Sequence, residues 1–198
     1  MDEKPKKGEY VEVLLRSPKT VFSSKDVALL WGETAEAAVR VRLSKYAKNG
    51  KLIRLHRGIY AKDKNYNVQE LATIIYTPSY ISFETVLTRT GINFQKYDTL
   101  FIASYVKKEM AVDQHSISFI RMKDYVLSNT LGIESQSGVS IASKERAFLD
   151  RIYVSKDYHF DNLDGLDWEK VFEILPIYRN KRMEKKVREY FKHKDKNS

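Results

Sequence analysis

Short apolar groups separated by polar residues predict a series of small elements at the start of the chain. Residues 9–16 carry apolar side chains at helical spacing, and Pro18 would end this helix. The β-favouring residues 20–22 predict a short strand. A second helix is expected next, because the serines that follow the strand offer an N-cap and Gly32 can adopt the left-handed conformation past a helix end.

A longer helix is predicted after Thr34, its expected N-cap, and would end at Asn49 and Gly50. At about 100° per residue, one stripe of this helix is apolar and predicted to be buried. It consists of Val39, Leu43, Tyr46 and Ala47. The opposite face and its flanks combine small side chains with cations, namely Ala37, Arg40, Val41, Arg42, Ser44, Lys45 and Lys48. For an isolated helix, a merely solvated basic face would be the better interpretation.

Residues 51–61 predict a basic two-stranded hairpin, in which apolar residues alternate with Arg54 and His56, and Arg57 and Gly58 form the tip. The order of a strand, a helix, a tight turn, a second helix and a hairpin is that of the winged helix-turn-helix, a module that usually binds duplex DNA. This order favours DNA binding over a solvated face. For His56 alone, an exposed imidazole without a special role is an equally good interpretation.

The two kinds of side chain on the basic helix predict two kinds of DNA contact. Small residues let a helix approach the groove, and cations around them meet phosphates. The residues expected at phosphates are Arg40, Arg42, Lys45, Lys48 and Arg57, with Arg54 and His56 of the hairpin along the backbone or in the minor groove. The residues expected to reach base edges are drawn from Ala37, Val41, Ser44 and Lys45.

The polar segment 62–67 predicts a domain boundary, with a DNA-binding domain over residues 1–66 and a second domain over residues 67–198. The second domain mixes the two periodicities, so its expected class is α+β. Its predicted helices cover 68–76, 78–90, 143–154, 166–175 and 178–193. Its predicted strands cover 99–106, 115–120 and 138–142, with the charged segment 107–114 as a hairpin loop between the first two.

Composition narrows the class of protein. Apolar residues make up 42% of the 198, which is enough for a folded core. The absence of cysteine excludes disulfides, thiolate zinc sites and cysteine nucleophiles. No apolar run approaches the roughly 18 residues of a membrane span, and the N-terminus is charged rather than signal-like. We therefore expect a cytoplasmic protein that does not enter membranes.

The net charge of +9 lies at the two ends of the chain. Residues 1–61 contain 13 basic and 7 acidic side chains, residues 62–176 contain 13 and 16, and residues 177–198 contain 9 and 3. The C-terminal helix thus presents a candidate second basic surface, which includes Lys181, Arg182, Lys185 and Lys186. An extra DNA contact, a surface for an acidic partner and simple solubility are the three interpretations.

No pattern of catalytic residues stands out. The four histidines are scattered, and the acidic segment 161–169 lacks the spacing of a calcium loop, so an N-cap at Asp164 or Asp167 is favoured. Glu145, Asp150 and Arg151 are expected to form surface ion pairs. We therefore expect no enzymatic activity, no metal and no cofactor.

Three phrases together resemble a known family: LIRLHRGIYA at 52–61, PSYISFETVLTRTGI at 78–92 and VSIASKERAFLDRIY at 139–153. They are similar to the AbiEi-type antitoxins of bacterial type IV toxin–antitoxin systems, which act in abortive infection. The resemblance covers roughly residues 8–175. It implies an N-terminal winged helix followed by a C-terminal α+β antitoxin domain, with the DNA-reading helix at residues 34–49 and the wing at residues 52–60.

The resemblance also implies a function: a transcriptional autorepressor that binds inverted repeats in its own promoter and counteracts a nucleotidyltransferase-type toxin, usually without a stable complex. Two alternatives stay open. The chain could be an orphan winged-helix regulator without a toxin partner, and the N-terminal module could instead dock a protein.

Overall fold

The computed structural model describes residue 5, residues 9–155 and residues 157–194. It is a mixed α+β structure that divides into two compact units. The first unit contains the described residues up to 75 together with 112–114, and the second contains the described residues of 76–111 and 115–194. No helix among the described residues is both long and apolar enough to cross a membrane.

The described part of the first unit contains α1 (Tyr10–Arg16), β1 (Val21–Ser23), α2 (Ser24–Leu30), α3 (Glu36–Lys48), β2 (Ile53–His56), β3 (Ile59–Ala61) and α4 (Val68–Ile75). The three strands form one antiparallel sheet in the order β1-β3-β2. Ser23 caps α2 in a reciprocal capping box with Asp26. Gly32, at a φ of +57°, allows the tight turn toward α3. The predicted N-cap of α3 is wrong by one residue: Ala35 occupies that position and provides no side-chain hydrogen bond.

One apolar core holds these elements together, and it includes Leu14, Phe22, Val27, Val39 and Leu43 at 0% exposure. Trp31 is also fully buried, and its indole Nε1 donates a 2.8 Å hydrogen bond to the Tyr10 carbonyl. These residues come from the inward faces of α1, α2 and α3, from β1 (Phe22) and from the end of α2 (Trp31). The predicted buried stripe of α3 is confirmed, because Tyr46 and Ala47 pack against this core. Leu15 instead lies 51% exposed.

Helix α4 belongs to the first unit, which therefore extends beyond the predicted boundary at residue 66. The Glu70 carboxylate accepts hydrogen bonds from the Thr20 amide at 2.7 Å, the Thr20 hydroxyl at 2.9 Å and the Val21 amide at 2.8 Å. These bonds attach α4 to the start of β1. Glu70 lies 50 residues after Thr20 in the sequence, so no local pattern predicts this attachment.

The described part of the second unit contains β4 (Ser79–Ile81), α5 (Glu84–Arg89), β5 (Thr99–Ser104), β6 (Lys108–Val112, whose last residue is assigned to the first unit), β7 (His115–Arg121), α6 (Asp124–Leu127), β8 (Ile133–Gln136), β9 (Val139–Ala142), α7 (Lys144–Val154), α8 (Trp168–Ile174), a 3₁₀ helix (Leu175–Tyr178) and α9 (Lys181–Lys194). The strands form a mixed sheet in the order β6-β7-β5-β4-β9-β8. The β5–β7 and β4–β9 pairs are parallel, whereas β4–β5 and β8–β9 are antiparallel.

Two sequence predictions for this unit are wrong. The predicted helix from residue 78 begins with β4, and α5 starts only at Glu84. The predicted loop 107–114 contains the strand β6, and β7 pairs in parallel with β5 instead of forming a hairpin with it. Strand β8 and the short helix α6 were not predicted. The predicted strand at 138–142 and the Ser143 N-cap of α7 are confirmed.

Candidate nucleic-acid interface and a buried polar network

Helix α3 presents its predicted polar face outward because its other side is anchored in the core. Val39 and Leu43 have no exposed surface, and they fix the rotation of the helix about its axis. On the other side, Val41 is 71% exposed, and Ala37, Lys45 and Lys48 are also exposed. Ser44 is half-buried. An apolar side chain as exposed as Val41 contributes little to packing.

A shallow depression of about 450 Å³ lies on this outward face. Its lining consists of Ala37, Ala38, Val41, Arg42 and Lys45. The structure thus brings together four of the residues expected at DNA, and it adds Ala38. The small side chains leave room for the edge of a ligand, and the Lys45 ammonium borders that room.

The cations on α3 differ in their availability. Arg40 lies 3.8 Å from the Glu36 carboxylate, and both side chains are exposed, so this pair is weak. Lys45 and Lys48 make no ion pair among the residues that the structure describes. They are therefore the α3 cations most available to an external anion.

Arg42 has a structural role that the sequence did not indicate. Its guanidinium carbon lies 3.7 Å from the centre of the Tyr10 ring and 5.4 Å from that of the Trp31 ring. Such stacking is a cation–π contact, here between α3 and α1. The Nη1 atom of Arg42 is buried, so this part of the side chain faces protein rather than solvent. Arg42 consequently belongs to the packing of the helices more than to the outward face.

The β2–β3 hairpin is short, and its tip is held close to α2. Ser24 donates two hydrogen bonds to the Gly58 carbonyl, from its amide at 2.9 Å and from its hydroxyl at 3.2 Å. Arg57 beside it is exposed, as is Arg54 on β2, whereas His56 is half-buried. The hairpin therefore offers two exposed cationic side chains and a limited reach beyond the sheet.

The candidate second basic surface on α9 is placed largely as predicted. Lys181, Arg182 and Lys185 are exposed, and Met183 and Val187 face inward. Lys186 differs from the prediction, because it is half-buried and its ammonium lies 3.8 Å from the Asp157 carboxylate. At about 100° per residue, position 186 turns away from the line that joins positions 181 and 185.

Helix α7 contains a buried ion pair where the sequence predicted surface charges. Arg146 and Asp150 are both fully buried, and the Arg146 Nε atom lies 3.3 Å from the Asp150 carboxylate. The guanidinium also donates to the carbonyls of Val126 at 2.8 Å and Leu131 at 2.9 Å, and to the Tyr80 hydroxyl at 3.0 Å. One side chain thus ties α7 to β4, to α6 and to the segment before β8.

Three hydroxyls satisfy the Asp150 carboxylate. Tyr178 and Ser82 each donate at 2.7 Å, and Tyr80 donates at 3.2 Å. Burial raises the pKa of Tyr80 and of Tyr178 well above the ordinary value, and the neighbouring Asp150 charge raises both further. Both phenols therefore stay protonated and able to donate through the neutral pH range.

The turn between β4 and α5 is strained and is held from both sides by α7. Phe83 is fully buried at a φ of 54° and a ψ of −140°, a conformation that is costly for a residue with a Cβ. On one side, Ser82 donates to Asp150. On the other, the Glu84 carboxylate lies 3.3 Å from the Arg151 guanidinium. Adjacent residues of α7 therefore contact both neighbours of Phe83, Asp150 through a hydrogen bond and Arg151 through an ion pair.

Two acidic side chains of the second unit, Glu145 and Asp167, serve as an anchor and a helix cap. Glu145 is buried and accepts a 3.2 Å hydrogen bond from the Asp167 amide, at the edge of a cleft of about 710 Å³. The predicted N-cap at Asp167 is confirmed, because its carboxylate accepts from the amides of Glu169 and Lys170. Among the described residues, no group of three or more His, Cys, Asp or Glu side chains is placed to hold a metal ion.

A scan against protein-family models finds no match for this chain, and a search of the curated proteins finds none either.

Proposed function

We propose that the first unit is a winged helix-turn-helix that binds duplex DNA, with α3 in the major groove and the β2–β3 hairpin as its wing. The observation that carries this proposal is the outward face of α3: an exposed Val41 between small residues, bordered by Lys45 and Lys48, neither of which has an ion-pair partner among the described residues. Valine and alanine suit the thymine methyl group, and lysines suit phosphates or guanine.

The proposal assigns different roles to Arg42, Arg54 and Arg57. Arg57 at the tip and Arg54 on β2 are exposed and would meet the backbone or the minor groove. Arg42 would hold α3 in place through its stack on Tyr10. Replacing Arg42 by alanine should therefore lower the stability of the unit with little change in the salt dependence of DNA binding.

Replacement of Lys45 and Lys48 by alanine tests the assignment. Removing one hydrogen bond to a charged group should weaken binding by about 1.5 kcal/mol, so the double variant should bind more than tenfold less tightly. Fluorescence anisotropy with a duplex from the region upstream of the protein's own coding sequence measures this. Lys64→Ala with Lys96→Ala removes the same charge from exposed positions elsewhere and should have little effect. Full retention of affinity in the Lys45/Lys48 variant would falsify the assigned face.

We further propose that the DNA binding serves autorepression by an antitoxin of the AbiEi type. The support is the resemblance of the hairpin, of the β4–α5 segment and of the β9–α7 segment to that family. The sites would be inverted repeats in the protein's own promoter, and the partner would be a nucleotidyltransferase-type toxin of the same operon, countered without a stable complex. The chain itself would catalyse no reaction.

Co-expression tests this second step. If the adjacent downstream gene encodes the toxin, its expression alone should stop growth, and expression with this protein should restore it. Growth arrest that persists in the presence of the folded protein would contradict the antitoxin assignment while leaving DNA binding open. An absence of any toxic neighbour would favour an orphan regulator.

A protein-interaction module is the second candidate, and a specific observation favours it. Leu29 is 83% exposed and Leu30 is 42% exposed, both on α2. Such side chains are common at protein contacts. If this surface docks a protein, Leu29→Ser should abolish binding of the protein partner and leave DNA binding unchanged. The Lys45/Lys48 variant should instead weaken DNA binding and leave binding of the protein partner unchanged.

A further inference from the structure

Four cations form a straight line along the outer side of α9. Lys181, Lys185, Arg188 and Lys192 follow one another at intervals of four, three and four residues. At about 100° per residue these positions fall within about 60° of one another, and they span about 16 Å along the helix axis. We call this set the α9 stripe. All four side chains are exposed.

The opposite side of α9 fixes this orientation. Met183 and Val187 are buried, and Phe191 packs against Trp168 with ring centres 5.2 Å apart. The α9 stripe is thereby held toward solvent by the packing of the same helix. Within the stripe, the central carbon of the Arg188 guanidinium lies 5.5 Å from the centre of the Phe172 ring, and the side chain stays exposed.

The α9 stripe makes no ion pair among the residues that the structure describes. Lys186, one turn away, is by contrast 3.8 Å from Asp157. The acidic residues of α9 lie off the line: Glu184 flanks it on one side, where it is half-buried, and Glu189 on the other. The protein thus leaves four aligned positive charges without a carboxylate partner in the described part of the chain.

We propose that the α9 stripe binds the phosphate backbone of duplex DNA, without regard to sequence. A regular line of cations matches a regular line of phosphates, which an acidic protein surface does not usually present. Binding of single strands relies on exposed aromatic rings for base stacking. The aromatic residues of α9, Tyr190 and Phe191, are on its inner side and half-buried, so a duplex is favoured. This contact extends the proposed DNA binding to a second surface, and it does not require recognition by α3.

The experiment measures the salt dependence of binding to a duplex of scrambled sequence. The full chain is compared with a variant that carries glutamine at Lys181, Lys185, Arg188 and Lys192. The slope of log K against log salt should become shallower by about 0.9 for each phosphate that the variant no longer neutralises, or by up to roughly 3.6 in total, and affinity should fall at least tenfold. Changing the three lysines to arginine instead should preserve the slope.

A matched control variant carries glutamine at four exposed cations elsewhere in the second unit, namely Lys96, Lys107, Arg121 and Lys123. It has the same net charge as the α9 stripe variant, so a difference between their slopes reports local contacts. Equal slopes for the two variants would overturn the proposal. A change confined to a duplex of RNA would overturn the assignment to DNA.

Repeating the comparison in the Lys45→Ala/Lys48→Ala background separates this inference from the proposed function. If α3 does not bind DNA, that background has no effect on either duplex, but the α9 stripe variant still changes the slope. If the α9 stripe does not bind DNA, the background still lowers affinity for the upstream duplex and the stripe variant matches its control.

Discussion

Replacing Asp150 should strongly destabilise the second unit. Its carboxylate balances the fully buried Arg146 guanidinium and accepts from Tyr178, Ser82 and Tyr80. In Asp150→Asn the positive charge of Arg146 would remain buried without its counter-ion. Removing one member of a buried pair typically costs about 3–5 kcal/mol, and we expect a decrease in the free energy of unfolding of that size.

The two tryptophans of the chain allow each unit to be followed separately, since Trp31 lies in the first and Trp168 in the second. Urea unfolding of Asp150→Asn in a Trp31→Phe background, followed by Trp168 fluorescence, should show this decrease in the free energy of unfolding. The exposed pair of Lys170 and Asp167, in the same unit, is the comparison, and Lys170→Gln should change the free energy of unfolding by less than about 1 kcal/mol. If Asp150→Asn lowered the free energy of unfolding no more than the variant of the exposed pair does, the buried pair would not hold the unit together.

Tyr178 should make the protein sensitive to alkali. Burial and the Asp150 charge raise its pKa, so in the folded state it keeps its proton above the pH near 10 at which an unfolded chain releases it. The stabilisation from this phenol is therefore complete below about pH 10 and is lost as pH rises beyond it, by about 1.4 kcal/mol per pH unit. Unfolding measured between about pH 9 and pH 11 should show this decline.

In Tyr178→Phe the free energy of unfolding should fall less steeply with pH, by the contribution of about one proton. The variant starts from a lower stability because it lacks the 2.7 Å hydrogen bond to Asp150. Tyr105→Phe, at an exposed position, should leave the slope unchanged. An equal slope in wild type and Tyr178→Phe would show that this phenol does not govern alkaline unfolding.

At the scale of elements, α3 has a correctable weakness at its N-terminus. Ala35 occupies the N-cap with extended backbone angles, and it offers no side-chain acceptor to the first free amides. Serine at this position should accept one of them and stabilise the first unit by about 1 kcal/mol. Urea unfolding followed by Trp31 fluorescence, in a Trp168→Phe background, measures the gain. Thr34→Ser, one residue before the cap, serves as the control, and an equal gain there would contradict the assigned cap.

The elements that the sequence predicted well are those whose signals are local. The buried stripe of α3 follows from apolar residues at helical spacing, and the Ser143 cap of α7 follows from one hydroxyl before a helix. β4 was missed because a few apolar residues after a proline fit the start of a helix as well as a strand. β6 was missed because this short edge strand begins with the charged residues Lys108 and Glu109 and is mostly exposed, so the segment around it reads as a charged loop.

The candidate sites also differ in how far local sequence signals could predict them. The outward face of α3 was predictable because the buried stripe determines it. The roles of Arg42 and Arg146 were not, because Tyr10 and Tyr80, their ring partners, are 32 and 66 residues away along the chain. An arginine four residues before an aspartate on a helix looks like an exposed pair, and only the folded chain reveals the carbonyls of Val126 and Leu131 around it.

For the whole molecule, positive charge is concentrated at both ends of the sequence, and under the two proposals these ends would make separable contributions to DNA binding. Residues 1–61 and 177–198 each carry a net +6, while the middle carries a net −3. If α3 reads bases, it should determine the ratio of affinities for the upstream duplex and a scrambled one. Contacts to phosphates alone affect both duplexes equally, so the α9 stripe should determine only their common level.

The ratio of the two affinities therefore distinguishes the surfaces. Val41→Ser should reduce that ratio, because a polar side chain replaces the exposed apolar one in the α3 depression, and each misread base pair costs about 1–3 kcal/mol. The α9 stripe variant should lower both affinities and leave the ratio unchanged, as measured by anisotropy at one fixed salt concentration. If the stripe variant altered the ratio as strongly as Val41→Ser, α9 would take part in reading sequence, and the division between a reading helix and a backbone-binding helix would be wrong.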